Sequence, residues 1–106
     1  MGKYLLKASY TGEGAKGLLK DGGSKRREAA EQALKSVGAK LEAFYFAFGE
    51  DDAYVIVDAP DHGSVAAASI AINATGAVHT KTVVLMTPEE MDHATKKVVT
   101  YRAPGH

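Results

Sequence analysis

The chain contains no cysteine among its 106 residues, which excludes disulfide bonds, thiolate metal sites and cysteine nucleophiles. It has no excess charge of either sign, because thirteen Lys and Arg balance thirteen Asp and Glu. A basic surface that would attract nucleic acid or an anionic membrane is therefore not expected. No apolar stretch approaches the ~20 residues that a membrane-spanning helix needs. The start of the chain also lacks the apolar core of a signal peptide. We therefore expect a cytoplasmic protein, with neither nucleic acid nor a membrane as a partner.

The amino-acid composition of the chain is typical of one small globular domain. Apolar residues make up 45% of the chain and charged residues 25%, as in ordinary folded domains. No internal repeat or low-complexity run divides the sequence. We expect a single domain over residues 1–106, with residues 98–106 as a short tail.

Apolar patterns, glycines and helix caps predict alternating strands and helices. Strands are predicted over residues 3–10, 41–48, 54–58 and 78–86. Helices are predicted from the N-caps Ser24, Asp61 and Thr87 to about residues 37, 74 and 97, the last with a complete capping box. The glycine-punctuated segment 12–23 is expected to be a surface loop with one helical turn at 15–19. This order predicts an α+β, ferredoxin-like βαββαβ fold plus a C-terminal helix: a four-stranded antiparallel sheet with two helices on one face.

The second and third predicted strands are apolar on both faces. In the strand 41–48, three Phe side chains share one face, and Leu41, Ala43, Tyr45 and Ala47 share the other. In a sheet with one solvent-exposed face, apolar and polar residues should instead alternate along each strand. Because large exposed apolar patches usually mark interfaces, we expect a second copy of the chain to cover this face in a homodimer.

Five segments carry a family pattern: Lys3-Tyr4-Leu5-Leu6, Tyr10-Thr11, Gly49-Glu50-Asp51-Asp52, residues 55–61, and Gly76-Ala77-Val78. Together they resemble the GYD-domain proteins, small bacterial proteins with the dimeric α/β-barrel form of the ferredoxin-like fold. The chain departs from the family's Gly-x-Tyr-Asp-like hairpin at Asp51, which stands where the tyrosine is expected, while Tyr54 follows three residues later. The resemblance implies the fold and dimerisation. It implies no particular reaction, because the wider superfamily includes cofactor-independent oxygenases, isomerases, cyclases, haem enzymes and stress-response proteins.

His79 is the main candidate for acid–base chemistry. It is predicted on the fourth strand beside Lys81, and Tyr10 is expected to reach the same side if the first strand is the neighbour. An imidazole near a tyrosine hydroxyl and an ammonium group can transfer protons near neutral pH. Tyr10 or Tyr54 would then orient a substrate. The alternative is a histidine that is hydrogen-bonded at the sheet edge or the dimer interface.

Aromatic side chains could line an apolar ligand cavity between the sheet and the helices. Tyr45 and Phe46, with Lys81 as a polar contact, are the candidate ligand-binding residues. They could equally belong to the core or to an interface. The helix 61–74 is rich in alanine, which would either leave room for a pocket or let the helix lie close to the sheet.

Three other motifs are less specific. The Gly-x-Gly-x-x-Gly pattern at 12–17 lacks the acidic residue of a dinucleotide site, since Gln32 stands about twenty positions on. The basic run 25–27 at a helix start could bind phosphate or carboxylate, or could simply be solvated. The acidic hairpin 50–52 could bind a hard cation but lacks calcium-loop spacing, and no histidine pair has zinc spacing. We therefore predict no metal and no cofactor.

Three functional hypotheses follow. The first is a small homodimer that binds a small molecule or acts in a stress response. The second is a cofactor-independent enzyme of the oxygenase or isomerase type, which uses His79 as acid or base on a small apolar or aromatic substrate. The third is a metal-binding protein that uses His79 or the acidic hairpin.

Overall fold

The computed structural model describes residues 2–106 of the chain. These residues contain four strands and four helices. In chain order they are β1 (Gly2–Tyr10), α1 (Gly12–Asp21), α2 (Gly23–Lys35), β2 (Lys40–Phe46), β3 (Ala53–Ala59), α3 (His62–Ala74), β4 (Val78–Leu85) and α4 (Pro88–Thr95). Within these residues, no helix is long and apolar enough to cross a bilayer.

The four strands form one antiparallel sheet in the spatial order β2-β3-β1-β4. The strand β1 is therefore central, although it comes first in the chain. The connections between β1 and β2 and between β3 and β4 contain the helices that cover one face of the sheet. This arrangement confirms the predicted α+β, ferredoxin-like fold.

The hydrophobic core lies between this sheet and the helices α2 and α3. Alternate residues of the two central strands are buried, as a sheet with one covered face requires. Val57 is fully buried and Leu34 of α2 is only 2% exposed, and both belong to the main core cluster. Val65 and Ala68 contribute the matching contacts from α3.

The opposite face of the sheet, here called the open face, carries no helix. Strand register places a row of four apolar side chains across its middle: Ala43, Ile56, Leu5 and Val83. Tyr45, in the neighbouring row, has 72% of its surface exposed. The expected apolar second face is thus confirmed for this row, whereas the rows on either side of it contain charged residues.

The segment after β1 forms the helix α1, so the expectation of a surface loop is wrong. The Thr11 side chain accepts a hydrogen bond from the backbone N–H of Gly14 and so caps the helix (3.3 Å). A Cβ at Gly14 would lie 2.0 Å from the carbonyl oxygen of Ala77. Close packing, which only glycine allows here, outweighs the low helix propensity of the glycines.

A bulge in β2 changes the face on which Leu41 lies. Leu41 pairs with Val57 and Ala43 pairs with Ile56, with a register shift between them. Because Val57 belongs to the core and Ile56 to the open face, Leu41 lies on the covered face beside the core, not with Ala43 as expected. A bulge inserts one residue and thereby reverses the alternation.

Two of the three predicted N-caps are confirmed. Asp61 accepts from the Ser64 N–H (2.7 Å), and Thr87 forms a capping box with Glu90. Helix α2, in contrast, begins after Gly22 rather than after Ser24. Gly22 has a φ of 81°, which favours glycine and turns the chain directly from α1 into α2. Helix α4 ends at Thr95, earlier than expected.

Candidate functional site

An apolar cavity of about 100 Å³ lies between α2 and the covered face of the sheet. Its floor includes Ala8, Ala53 and Val78, which form a small core cluster of their own. Its roof includes Ala29, Ala30 and Ala33 of α2. Small side chains thus face each other across the two layers.

The cavity follows from this alanine pairing. A methyl group reaches only a short way from a helix toward a sheet, so two opposed alanine rows leave space that Leu or Ile would fill. The sequence suggested such space under the alanine-rich helix α3. The structure instead places most of the alanine roof on α2, while α3 contributes Ile72 to the wall.

An aromatic cluster borders the cavity near the β2–β3 hairpin. Tyr10 stacks on Phe46 with ring centroids 6.5 Å apart and planes 28° apart. Phe44 packs edge-on against Phe46 at 5.1 Å. Beyond this cluster lies a wider groove of about 520 Å³, which Tyr10 and Phe46 also line. Tyr10 therefore borders both spaces.

Three polar side chains reach the cavity wall: those of Tyr10, Arg26 and Thr80. The hydroxyl of Thr80 already contacts Asn73 Oδ1 at 3.3 Å, and its N–H donates to the same oxygen at 2.8 Å. Arg26 has a single carboxylate neighbour among residues 2–106, Asp21, at 4.0 Å. The arrangement is an apolar pocket with two polar groups free to meet a ligand.

A separate polar cluster lies on the open face and is built around Asp51. Asp51 is only 3% exposed, accepts a hydrogen bond from Ser9 Oγ at 3.1 Å and pairs with Lys81 Nζ at 3.2 Å. Burial by itself raises the pKa of Asp51, but hydrogen bonds from Lys81 and Ser9 outweigh it and leave the pKa below its usual value. His79 stands opposite Ser9 in the strand register.

The predicted site residues divide between the two faces of the sheet. Tyr10 lines the cavity, and Phe46 lines the wider groove next to it. Four others lie on the open face, in register with its rows: Tyr45, Tyr54, His79 and Lys81. The expectation that Tyr10 and His79 share a side is wrong, because Tyr10 pairs with Val78 and successive residues of a strand point to opposite faces.

The sequence did not identify Arg26 and Ser9 as individual site residues. Arg26 belongs to a basic run, and only its position on the sheet-facing side of α2 separates it from its neighbours. Asp51 could be recognised from the sequence, because it stands where the hairpin motif of the family has tyrosine. Ser9 becomes informative only once the sheet register places it beside Asp51.

Asp52 of the acidic hairpin is hydrogen-bonded to the strand β1. Asp52 Oδ2 accepts from the backbone N–H of Tyr10 at 2.8 Å, and the Asp52 N–H donates to the Ala8 carbonyl at 2.8 Å. Across residues 2–106, no three His, Cys, Asp or Glu side chains come together in a group that could hold a metal ion. The glycine motif at 12–17 serves helix packing, as Gly14 shows.

Comparison with protein families agrees with this architecture. The model of the GYD domain matches residues 4–95 of the 106. That match covers β1 from Tyr4 onward, the other three strands and the helices that bound the cavity. A comparison with curated proteins gave no match. The chain belongs to the GYD domain family.

Proposed function

We propose that this protein works in the cytoplasm as a homodimer that binds a small apolar molecule in the cavity under α2. The observation that carries the proposal is the cavity itself, an apolar space with a few polar groups at its wall. Pockets of this composition are the usual sites for small ligands. Its walls belong to the sheet and to α2, so the fold holds the site in shape.

The volume restricts the ligand to a small one. An engineered cavity of about 150 Å³ in another protein holds benzene. A cavity of about 100 Å³ holds a short branched alkyl chain, or a single ring when the bordering side chains shift slightly. Any larger part of the ligand would extend past Tyr10 into the adjoining groove.

The open face supports the proposed homodimer. Its apolar row lies between two rows that contain charged residues, among them Lys7 and Lys81 on one side and Lys3 and Asp58 on the other. A second copy would cover the apolar row and remove its side chains from water. Exposed apolar patches of this kind usually mark interfaces, which favours this pairing.

The enzymatic alternative has less support. His79, its proposed acid or base, is exposed on the open face and does not line the cavity. An apolar substrate in the cavity would be separated from His79 by the sheet. His79 has polar neighbours in Ser9 and the Asp51–Lys81 pair, so a reaction at the open face remains the second candidate. An unchanged turnover in His79→Ala would remove it.

Binding can be tested by filling the cavity. Ala33→Leu adds three carbon atoms to the roof, and Ala71→Leu, on an exposed position of α3, is the matched control. Benzamide is a neutral single-ring probe. We expect amide chemical shifts around the cavity to move on titration of benzamide into the wild type and the Ala71→Leu variant, and to remain unchanged in Ala33→Leu.

Native mass spectrometry of protein purified gently from its producing cells provides the second measurement. A dimer that carries an extra mass of small-molecule size, lost on denaturation, would support both parts of the proposal. A monomer would overturn the homodimer. If benzamide moved the same shifts in Ala33→Leu as in the wild type, or none in either, the cavity would not be the binding site.

A further inference from the structure

We propose that the cavity binds small apolar monocarboxylic acids, with the apolar part under α2 and the carboxylate at Arg26. This inference rests on the proposed function and names the ligand class of the same site. It depends on three features of Arg26: its position on the helix, its incomplete pairing, and the absence of other charges from the described cavity wall.

Arg26 occupies a position on α2 where an apolar residue is expected. The cavity-lining residues of this helix recur at helical spacing: Arg26, Ala29, Ala30, Ala33 and Leu34. Its neighbours Lys25 and Arg27 are exposed, whereas Arg26 is partly buried. The basic run is therefore not a uniform solvated surface, since the side chain of one of its three basic residues lines an apolar space.

The guanidinium of Arg26 is poorly paired within residues 2–106. Its Nη1 is 4.0 Å from Asp21 Oδ2, and the Asp21 side chain is itself 38% exposed. A charge-assisted hydrogen bond is about 2.7–2.9 Å long, so this contact is a loose ion pair. A guanidinium can donate two parallel hydrogen bonds to one carboxylate, and this capacity is largely unused.

The remaining wall selects for an apolar acid rather than another ligand. Arg26 is the one charged side chain among the described residues that line the cavity. A cationic ligand would be repelled, and an inorganic anion would gain nothing from the apolar walls. A molecule with both an apolar body and one carboxylate uses both features. Tyr10, which lines the cavity from β1, carries a hydroxyl that supplies a further donor.

The decisive experiment compares acids with their isosteric neutral amides. The probes are benzoate against benzamide and isovalerate against isovaleramide, titrated by calorimetry and by amide chemical shifts. We expect the wild type to bind each acid about tenfold more tightly than its amide, which is the effect of about one charge-assisted hydrogen bond.

Three variants assign this preference to Arg26. Arg26→Gln should abolish it while leaving amide binding within about twofold, and Arg26→Lys should keep part of it because the charge remains. Asp21→Asn should tighten acid binding, because it removes the competing carboxylate. Lys25→Gln is the control with the same charge change at an exposed neighbouring position, and the acid preference should persist there.

The outcomes separate this inference from the proposed function. If benzamide and benzoate bind the wild type equally, or if Arg26→Gln keeps the preference, the ligand class is wrong while the cavity remains a binding site. If neither probe binds and Ala33→Leu changes nothing, the proposed function itself fails. If Arg26→Gln fails to fold, Arg26→Lys still tests the inference, because it should keep only part of the preference for acids over amides.

Discussion

The ring of Tyr10, which lines both the cavity and the wider groove, stacks on the ring of Phe46, which lines the groove, with centroids 6.5 Å apart. The stack joins the end of β1 to the end of β2. Aromatic pairs of this kind contribute about 0.5–1.5 kcal/mol beyond the area that they bury. The pair therefore affects both the stability of the sheet end and the size of the ligand that can enter.

Phe46→Ala should join the two spaces. We expect a loss of about 1–3 kcal/mol in the free energy of unfolding, below the range for a fully buried Phe because Phe46 is 41% exposed. Two-ring probes such as naphthalene carboxylate should bind more tightly to the variant than to the wild type. Urea denaturation and calorimetry measure the two effects. Tyr101→Ala, at an exposed position that lines neither the cavity nor the groove, should change neither.

Gly14→Ala should destabilise the protein, because the new Cβ would lie 2.0 Å from the Ala77 carbonyl oxygen. The helix α1 or the chain at Ala77 must shift to relieve the contact. Gly17→Ala, in the same helix with nothing within 4 Å of its Cβ position, should instead stabilise by about 0.5–1 kcal/mol. Urea midpoints of the two variants should move in opposite directions. A stabilised Gly14→Ala would contradict the packing of α1 described above.

Asp51→Asn should remove a stabilising contribution that depends on pH. The folded pKa of Asp51 is below its usual value near 3.8, so the folded state binds this proton less readily than the unfolded state. The stabilisation is then present above about pH 4 and is lost as the pH falls through the folded pKa. Urea midpoints of wild type and Asp51→Asn should differ at about pH 6, and the difference should shrink as the pH falls below the ordinary aspartate range.

Lys81→Met tests the cause of this effect. The Lys81 ammonium is the charged partner of Asp51 at 3.2 Å, so its loss should raise the pKa of Asp51 and reduce the acid dependence of stability. In the double variant the two losses should be less than additive, as expected for residues in direct contact. Fully additive losses would show that the pair does not act as a unit.

Ile56→Asp should separate the proposed dimer. Ile56 lies in the apolar row of the open face, where a carboxylate would be buried without a partner in a face-to-face pair. Sedimentation equilibrium should give a monomer mass for this variant and a dimer mass for the wild type. Ile70→Asp places the same charge on an exposed position of α3 and should leave the dimer intact. A dimeric Ile56→Asp protein would exclude the open face as the interface.

Local signals in the sequence identified most of the elements. Asp61 and Thr87 were recognisable as N-caps because a side-chain oxygen must satisfy the first free N–H groups of a helix. The helix α1 was not predicted, because three glycines in this segment lower its helix propensity. The contact that stabilises α1 joins Gly14 to Ala77, which is far away in the sequence.

The site itself was only partly predictable. Sequence spacing could indicate that His79 and Lys81 share a strand face, but it could not show that Tyr10 lies on the other. That result depends on the pairing of Tyr10 with Val78, and a shift of one residue would have reversed it. The position of Arg26 at the cavity likewise depends on how α2 is rotated against the sheet.

The sequence by itself determined the order of the four strands, the presence of the helices α2, α3 and α4, the N-caps of α3 and α4, the family, and the apolar row on the second sheet face. These follow from short-range spacing and from side-chain chemistry. The tertiary structure alone decided which residues share a face, where opposed alanines leave a cavity, and that Arg26 borders it. The physical reason is that register, helix rotation and cavities arise from contacts between residues distant in the chain, which local patterns do not encode.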